Sequence, residues 1–308
     1  MPPDIAAAVK KIGPVIDPPG TAILFALLQK EEPYAGVTVA RDEKYGSDPR
    51  NRLDVFQPAT ASTMPRPILI FVHGGAFTGG DKHPPDTVFY DNIMLWAVAN
   101  GMVGVNITYR LAPEHPYPAQ QEDALAAYRW LLQGGTDPRR LALMGDSAGG
   151  NLVLCLLRRL HREGLPMPAA AVCLSPWTDL ANGGESMAAN EPFDLIDRRM
   201  VAQWAAWYTH GRDPKDPEIS PLYGDFAGFP PVYIQAGGAE IMIDMIRAYA
   251  EKARREGADV ALDVWEHMIH NFQAFGDRME ESEDALGRIR DFVAARIGPG
   301  SSSASPIN

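Results

Sequence analysis

Apolar runs of strand length alternate with helix-patterned segments over most of this chain, and that alternation constrains its fold more than any other feature. Runs at 68–72, 102–107, 141–144, 169–174, 232–235 and 260–265 are continuous and rich in β-branched residues, as suits strands buried on both faces. Between them, 91–100, 119–132, 149–162 and 243–256 carry apolar residues at helical spacing, and 283–297 follows the last run in the same pattern. Such alternation predicts a mostly parallel sheet with helices on both faces. Two shorter alternating segments, 37–41 and 52–56, flank the turn-rich stretch 45–51 and add an antiparallel pair, for eight strands in all.

One stretch departs from the alternation. About forty-five residues from Thr178 to Tyr223 separate two predicted strands, too long for a plain crossover. Within it, Met200, Val201, Trp204, Trp207 and Tyr208 fall at helical spacing. The first 35 residues differ again, with helical patches at 5–12 and 21–30 broken by Pro14, Pro18, Pro19 and Pro33. The expected organisation is an α/β core at 36–185 and 220–297, with a helical cap formed by 1–35 and 186–219 over the sheet's C-terminal edge, where open α/β sheets bind ligands. An enlarged surface crossover is the alternative for the inserted segment. Residues 298–308, rich in Ser, Gly and Pro, read as a disordered tail.

Charge and cysteine usage exclude several functions. With 28 basic against 39 acidic side chains, the net charge of −11 disfavours any polyanion, so no nucleic-acid partner is expected. Cys155 and Cys173 sit alone in apolar runs and read as core thiols, without zinc-site spacing. The N-terminus lacks the apolar core of a signal peptide, and 22–28 is too short to span a bilayer, which leaves a cytoplasmic location without stable membrane insertion as the expectation.

The strongest chemical signal is Gly145-Asp146-Ser147-Ala148-Gly149, preceded by a predicted strand and followed by a helix. That context fits a nucleophile elbow, in which a serine sits in a strained, tight turn and the positions two before and two after it must lack bulk. A phosphate-cradling loop is the competing reading, but no Gly-Lys-Ser/Thr follows and no Gly-x-Gly-x-x-Gly fits. A second signal follows the strand at 68–72: His73-Gly74-Gly75-Ala76-Phe77 offers free backbone N–H groups. Acyl transfer builds negative charge on a carbonyl oxygen, and each preorganised donor aimed there lowers the barrier by about 3 kcal/mol. The amide of Ala148 is the natural further donor.

These motifs, together with Tyr109–Ala119 (YRLAPEHPYPA), Ser175–Leu180 (SPWTDL) and Pro230–Glu240 (PPVYIQAGGAE), resemble the hormone-sensitive-lipase-like family of α/β-hydrolase esterases, in the right order over residues 36–297. The resemblance implies a Ser–acid–His triad in that chain order, which is also what the chemistry requires. His270-Asn271-Phe272 fits the family's His-x-Phe motif, so His270 is the expected base over His267, and His73, His83, His115, His161 and His210 read as turn, loop or helix-end residues. Glu240 matches the position of the acid, where most relatives carry Asp; Asp244, in the first turn of the next helix, is the rival. Ala76 replaces the last glycine of the usual His-Gly-Gly-Gly. The expected oxyanion donors are Gly75, Ala76 and Ala148, with Gly74 setting the turn or contributing.

The expected function is serine carboxylesterase activity on small esters of short to medium acyl chain, with no metal or organic cofactor. Amidase, lactonase or acyltransferase activity could use the same triad, and a non-catalytic binding homologue would instead lack the histidine. Phe77, Trp204, Trp207 and Tyr208 are the aromatic candidates for a pocket wall, although such a stripe also suits packing. The last strand could pair with its copy in a homodimer.

Overall fold

In the computed structural model, residues 33–82 and 89–297 are described. The eight strands are β1 (Val37–Lys44), β2 (Arg52–Pro58), β3 (Ile68–Val72), β4 (Val103–Ile107), β5 (Leu141–Asp146), β6 (Ala170–Leu174), β7 (Val232–Gly237) and β8 (Val260–Trp265). They form one sheet in the order β1-β2-β4-β3-β5-β6-β7-β8. The pairs β1–β2 and β2–β4 are antiparallel, and every pair from β4 to β8 is parallel.

The helices are α1 (Phe89–Ala99), α2 (Ala119–Gln133), α3 (Ala148–Arg162), α4 (Ser186–Ala189), α5 (Arg198–Thr209), α6 (Ile243–Arg255) and α7 (Glu280–Ile297). Strand residues alternate between two cores, as period-2 side chains in a doubly covered sheet must. On β3, Ile70 and Val72 join the core under α2, α3, α5 and α6, while Leu69 and Phe71 join the core under α1 and α7. Leu141 and Leu143 of β5 divide from Ala142 and Met144 in the same way. Both cysteines are free and buried.

Strand order reverses at β3. The chain leaves it for β4 on one side and then crosses to β5 on the other, which opens a crevice at the C-terminal ends of β3 and β5. Val72 pairs with Gly145, so the turn after β3 and the turn after β5 begin side by side.

The segment between β6 and β7 contains α4 and α5. Asp197 caps α5 by accepting from the amides of Arg199 (2.6 Å) and Met200 (3.3 Å). Val201, Ala205 and Tyr208 form its buried face. The Tyr208 ring stacks on Phe77 at 3.8 Å between centroids, and Phe77 lies just beyond the end of β3. α5 therefore sits at the C-terminal end of the sheet. The expected N-terminal helical patches, His83 and the tail lie outside the described residues.

Candidate active site

Ser147 is the single residue between β5 and α3 and adopts φ 52°, ψ −117°. A non-glycine residue in such a conformation costs of order 1–3 kcal/mol and persists only where its surroundings enforce it. Here the Ser147 amide donates to Leu174 O (2.8 Å), and its carbonyl accepts from the amides of Asn151 (3.0 Å) and Trp177 (3.1 Å). Space dictates the flanking glycines: a Cβ at Gly149 would lie 1.9 Å from Val72 O, and one at Gly145 would lie 2.5 Å from Gly149 O.

Beside this elbow, Gly75, Ala76 and Phe77 take φ of 91°, 56° and 63°. Three successive left-handed residues turn the chain sharply, and a Cβ at Gly75 would meet Gly79 O at 2.3 Å. His73 is fully buried, its Nδ1 donating to Gly74 O (2.7 Å) and its ring stacked on Tyr109 at 4.3 Å. Burial pushes its pKa down to about 3, so it is a neutral packing residue. The Gly74 amide donates to Asp146 Oδ1 (2.7 Å) and to the Tyr90 hydroxyl (3.0 Å) and is thus engaged within the protein. Among the described residues, no hydrogen bond takes up the N–H of Gly75, Ala76 or Ala148.

The third component comes from the loops after β7 and β8. Amides of Gly238 and Ala239 donate to Trp265 O (2.8 Å) and Met268 O (3.0 Å), which locks the two loops together. His270 Nδ1 lies 2.7 Å from Glu240 Oε2, with both side chains buried. Burial lowers the His270 pKa, but the Glu240 hydrogen bond and charge, followed by Asp194 and Asp146, outweigh it and hold the imidazole above its ordinary 6.5. Burial likewise lifts the Glu240 carboxyl, against the pull of His270 and of the nearby Ser175 hydroxyl.

Further contacts join the His270 loop to the elbow. Asn271 donates from Nδ2 to Asp146 Oδ2 (2.8 Å) and from its amide to Ser175 Oγ (3.1 Å). No hydrogen bond joins Ser147 Oγ to His270 among the described residues; contacts of this kind are often long without substrate and tighten in the transition state.

The remaining candidates lie apart or serve packing. Asp244 accepts the Ser186 amide (2.9 Å) and so holds α4, while His267, His115, His161 and His210 are exposed. Phe77 and Tyr208 are fully buried against each other, with Trp177 5.7 Å from Phe77. Trp204 is half-buried, and Trp207 is 40% exposed. Sequence reasoning missed Asp146, Ser175, Asn190, Asp194 and Asn271 as structural partners of the site. Asp146 and Asn271 occupy variable places within the two recognised motifs, Ser175 opens the motif Ser175–Leu180, and Asn190 and Asp194 carry no local signal. Among the described residues, no His, Cys, Asp and Glu side chains cluster as a metal site, and no helix is long and apolar enough to cross a membrane.

Residues 69–274 match the family described as alpha/beta hydrolase fold. An acetyl-hydrolase of Streptomyces hygroscopicus is 37% identical over 233 residues, covering 75% of this chain and 77% of that one. A crystal structure of an esterase from the bacterial hormone-sensitive lipase family superposes with TM-score 0.83 at 34% identity, covering 97% of this chain and 99% of the other. A structure of EstE5 soaked with p-nitrophenyl butyrate gives TM-score 0.81 at 29% identity, covering 97% of this chain and 100% of that one.

The chain belongs to the α/β-hydrolase fold family. Within it, the protein is a carboxylic ester hydrolase of the hormone-sensitive-lipase-like group.

Proposed function

We propose that the protein hydrolyses esters of short acyl chains through an acyl-enzyme on Ser147, with His270 as general base and acid and Glu240 as its orienting carboxylate. The observation that carries this reading is the buried 2.7 Å contact between His270 Nδ1 and Glu240 Oε2, on a loop tied to the Ser147 elbow through Asn271 and Asp146. An ionised Glu240 accepts a hydrogen bond from Nδ1–H, which leaves Nε2 as the basic nitrogen.

In this mechanism Ser147 Oγ attacks the ester carbonyl carbon as its proton passes to His270 Nε2. The resulting oxyanion is met by the N–H groups of Gly75, Ala76 and Ala148. The C–O bond to the alcohol then breaks, and the imidazolium returns the proton to the departing oxygen. Water, giving one proton to His270, attacks the acyl carbon, and as the bond to Ser147 Oγ breaks the imidazolium returns that proton to Oγ, which frees the acid and restores Ser147. Short acyl chains are supported by the similarity to an acetyl-hydrolase and to an esterase soaked with a butyrate ester.

The test is hydrolysis of p-nitrophenyl esters from acetate to palmitate at pH 8 by wild type and by Ser147→Ala. Expected is turnover that is highest on acetate and butyrate and that falls by about 10⁴ or more in the variant, with its circular dichroism unchanged. Wild-type turnover in the variant would remove Ser147 from the mechanism. A preference for palmitate would overturn the assignment of chain length.

A further inference from the structure

The Glu240–His270 pair is braced from the segment between β6 and β7, outside the strand–loop framework that carries it. Asp194 of that segment is 4% exposed. Its Oδ2 accepts the amide of Ile241 (2.8 Å), the residue after Glu240. Its Oδ1 accepts the amide of His270 (3.0 Å) and that of its own neighbour Leu195 (2.8 Å). One carboxylate therefore holds the main chains of both partners. Asn190, four residues earlier, donates to the carbonyl oxygens of Glu240 (2.9 Å) and Gly238 (3.3 Å) and fixes the acid loop from the same side.

A buried carboxylate is costly unless its oxygens are satisfied. Three backbone N–H groups satisfy this one, and among the described residues no Lys or Arg pairs with it. Its negative charge thus has no fixed cation to cancel it and acts on the imidazole. The ionisable groups that face His270 are Glu240 from the turn after β7, Asp194 from the inserted segment and Asp146 from β5, and all three favour the imidazolium.

We infer that Asp194 is a positioning residue for ester hydrolysis: it sets the separation of the Glu240 and His270 main chains and adds a second negative charge that steadies the imidazolium formed when Ser147 gives up its proton. The inference rests on the reading of Ser147, His270 and Glu240 above. It goes beyond that reading by assigning the inserted segment a part in the chemistry.

Asp194→Asn keeps the shape, removes the charge and turns an NH2 group toward one of the amides now held. Two readouts apply to wild type and variant: kcat and KM for p-nitrophenyl acetate from pH 5 to 9, and the His270 ring pKa followed by NMR at Cε1–H. Expected are a kcat lower by about ten- to a hundredfold, a KM within about twofold, and an acid limb and ring pKa that both move to lower pH. Wild-type kcat with an unmoved ring pKa overturns the inference. A lowered ring pKa with an unmoved rate profile leaves the tie between Asp194 and the ring intact and instead removes His270 as the base. Asp194→Glu carries the test should the Asn variant not fold. Retaining the charge on displaced oxygens, it should lower kcat with the acid limb near its wild-type position, and a wild-type kcat there overturns the inference.

Discussion

The two sides of the site are built by different physics. On the Ser147 side, backbone packs against backbone: Gly149 lies against Val72 O, Gly145 against Gly149 O and Gly75 against Gly79 O, each too close for a side chain. On the His270 side there is one comparable approach, of Gly237 to Met268 O, and the remaining work falls to side chains from separate elements. Asp194, Asn190, Ser175 and Asn271 reach in from the inserted segment, the end of β6 and the histidine loop itself. The first side is shaped by steric exclusion, and the second is held by hydrogen bonds from these side chains, with Glu240 Oε1 and Asn271 Oδ1 left without a partner among the described residues.

If that division holds, charge on the second side can be removed without disturbing the fold. On that side Glu240→Gln should show the largest effect: kcat lower by about 10³- to 10⁴-fold, because the imidazole loses its anionic partner. The sign of the pH effect follows from the same contact. Glu240 raises the His270 pKa against burial, so with Gln the ring titrates lower and the acid limb of the surviving activity moves to lower pH. Stability should hold, with a thermal midpoint within about 3 °C of wild type, since a buried charge is exchanged for a neutral group of the same shape. An unchanged kcat would leave Glu240 a packing residue. A collapsed fold would erase the distinction between the two sides.

On the Ser147 side a single methyl group should reverse the pattern. Gly149→Ala places a Cβ against Val72 O and His73 O, both main-chain atoms of the central strand and its turn. Neither can yield without moving the turn at 73–77. The expected cost is about 3 kcal/mol, a drop of roughly 4–6 °C in Tm by calorimetry, accompanied by loss of activity. Wild-type stability in this variant would show that the elbow tolerates bulk and that steric exclusion is not what builds it.

The same division explains what could be read from the sequence. Six strands were legible because burial on two faces demands uninterrupted apolar runs, β1 and β2 through their alternating pattern, and both turns because steric exclusion demands glycine at set positions. Ser147, Gly145 and Gly149 lie within four residues of one another, so their relation is spelled locally. The partnership of His270 with Glu240 spans thirty residues and became legible only through the resemblance to a known family. Asp194, 76 residues from His270, left no trace, because a carboxylate that accepts main-chain amides imposes no residue type on its partners. Gly74 shows the limit of local reading in the other direction. Its place in the motif suggested an oxyanion donor or a turn former, and only the fold reveals that Asp146 already holds its amide.

Asp146 stands where the two sides meet, spelled within the elbow yet bonded across to the histidine loop. One oxygen takes the Gly74 amide and the other the Asn271 side chain, while burial pushes its carboxyl up to about 7. A carboxylate poised there depends on donors that favour its charged form. Asn271→Gly removes one donor and leaves the left-handed backbone of Asn271 (φ 54°) unstrained. Asp146 should then ionise at higher pH. The expected loss in kcat/KM is about three- to tenfold at pH 7, where the carboxyl becomes mostly neutral, shrinking toward pH 9, where it is charged again. A deficit that stays constant from pH 6 to 9 would sink the titration of Asp146 as its cause and reduce the Asn271 bond to loop placement alone. A deficit that closes as pH rises would make Asp146 the group through which the two sides of the site share one state of charge.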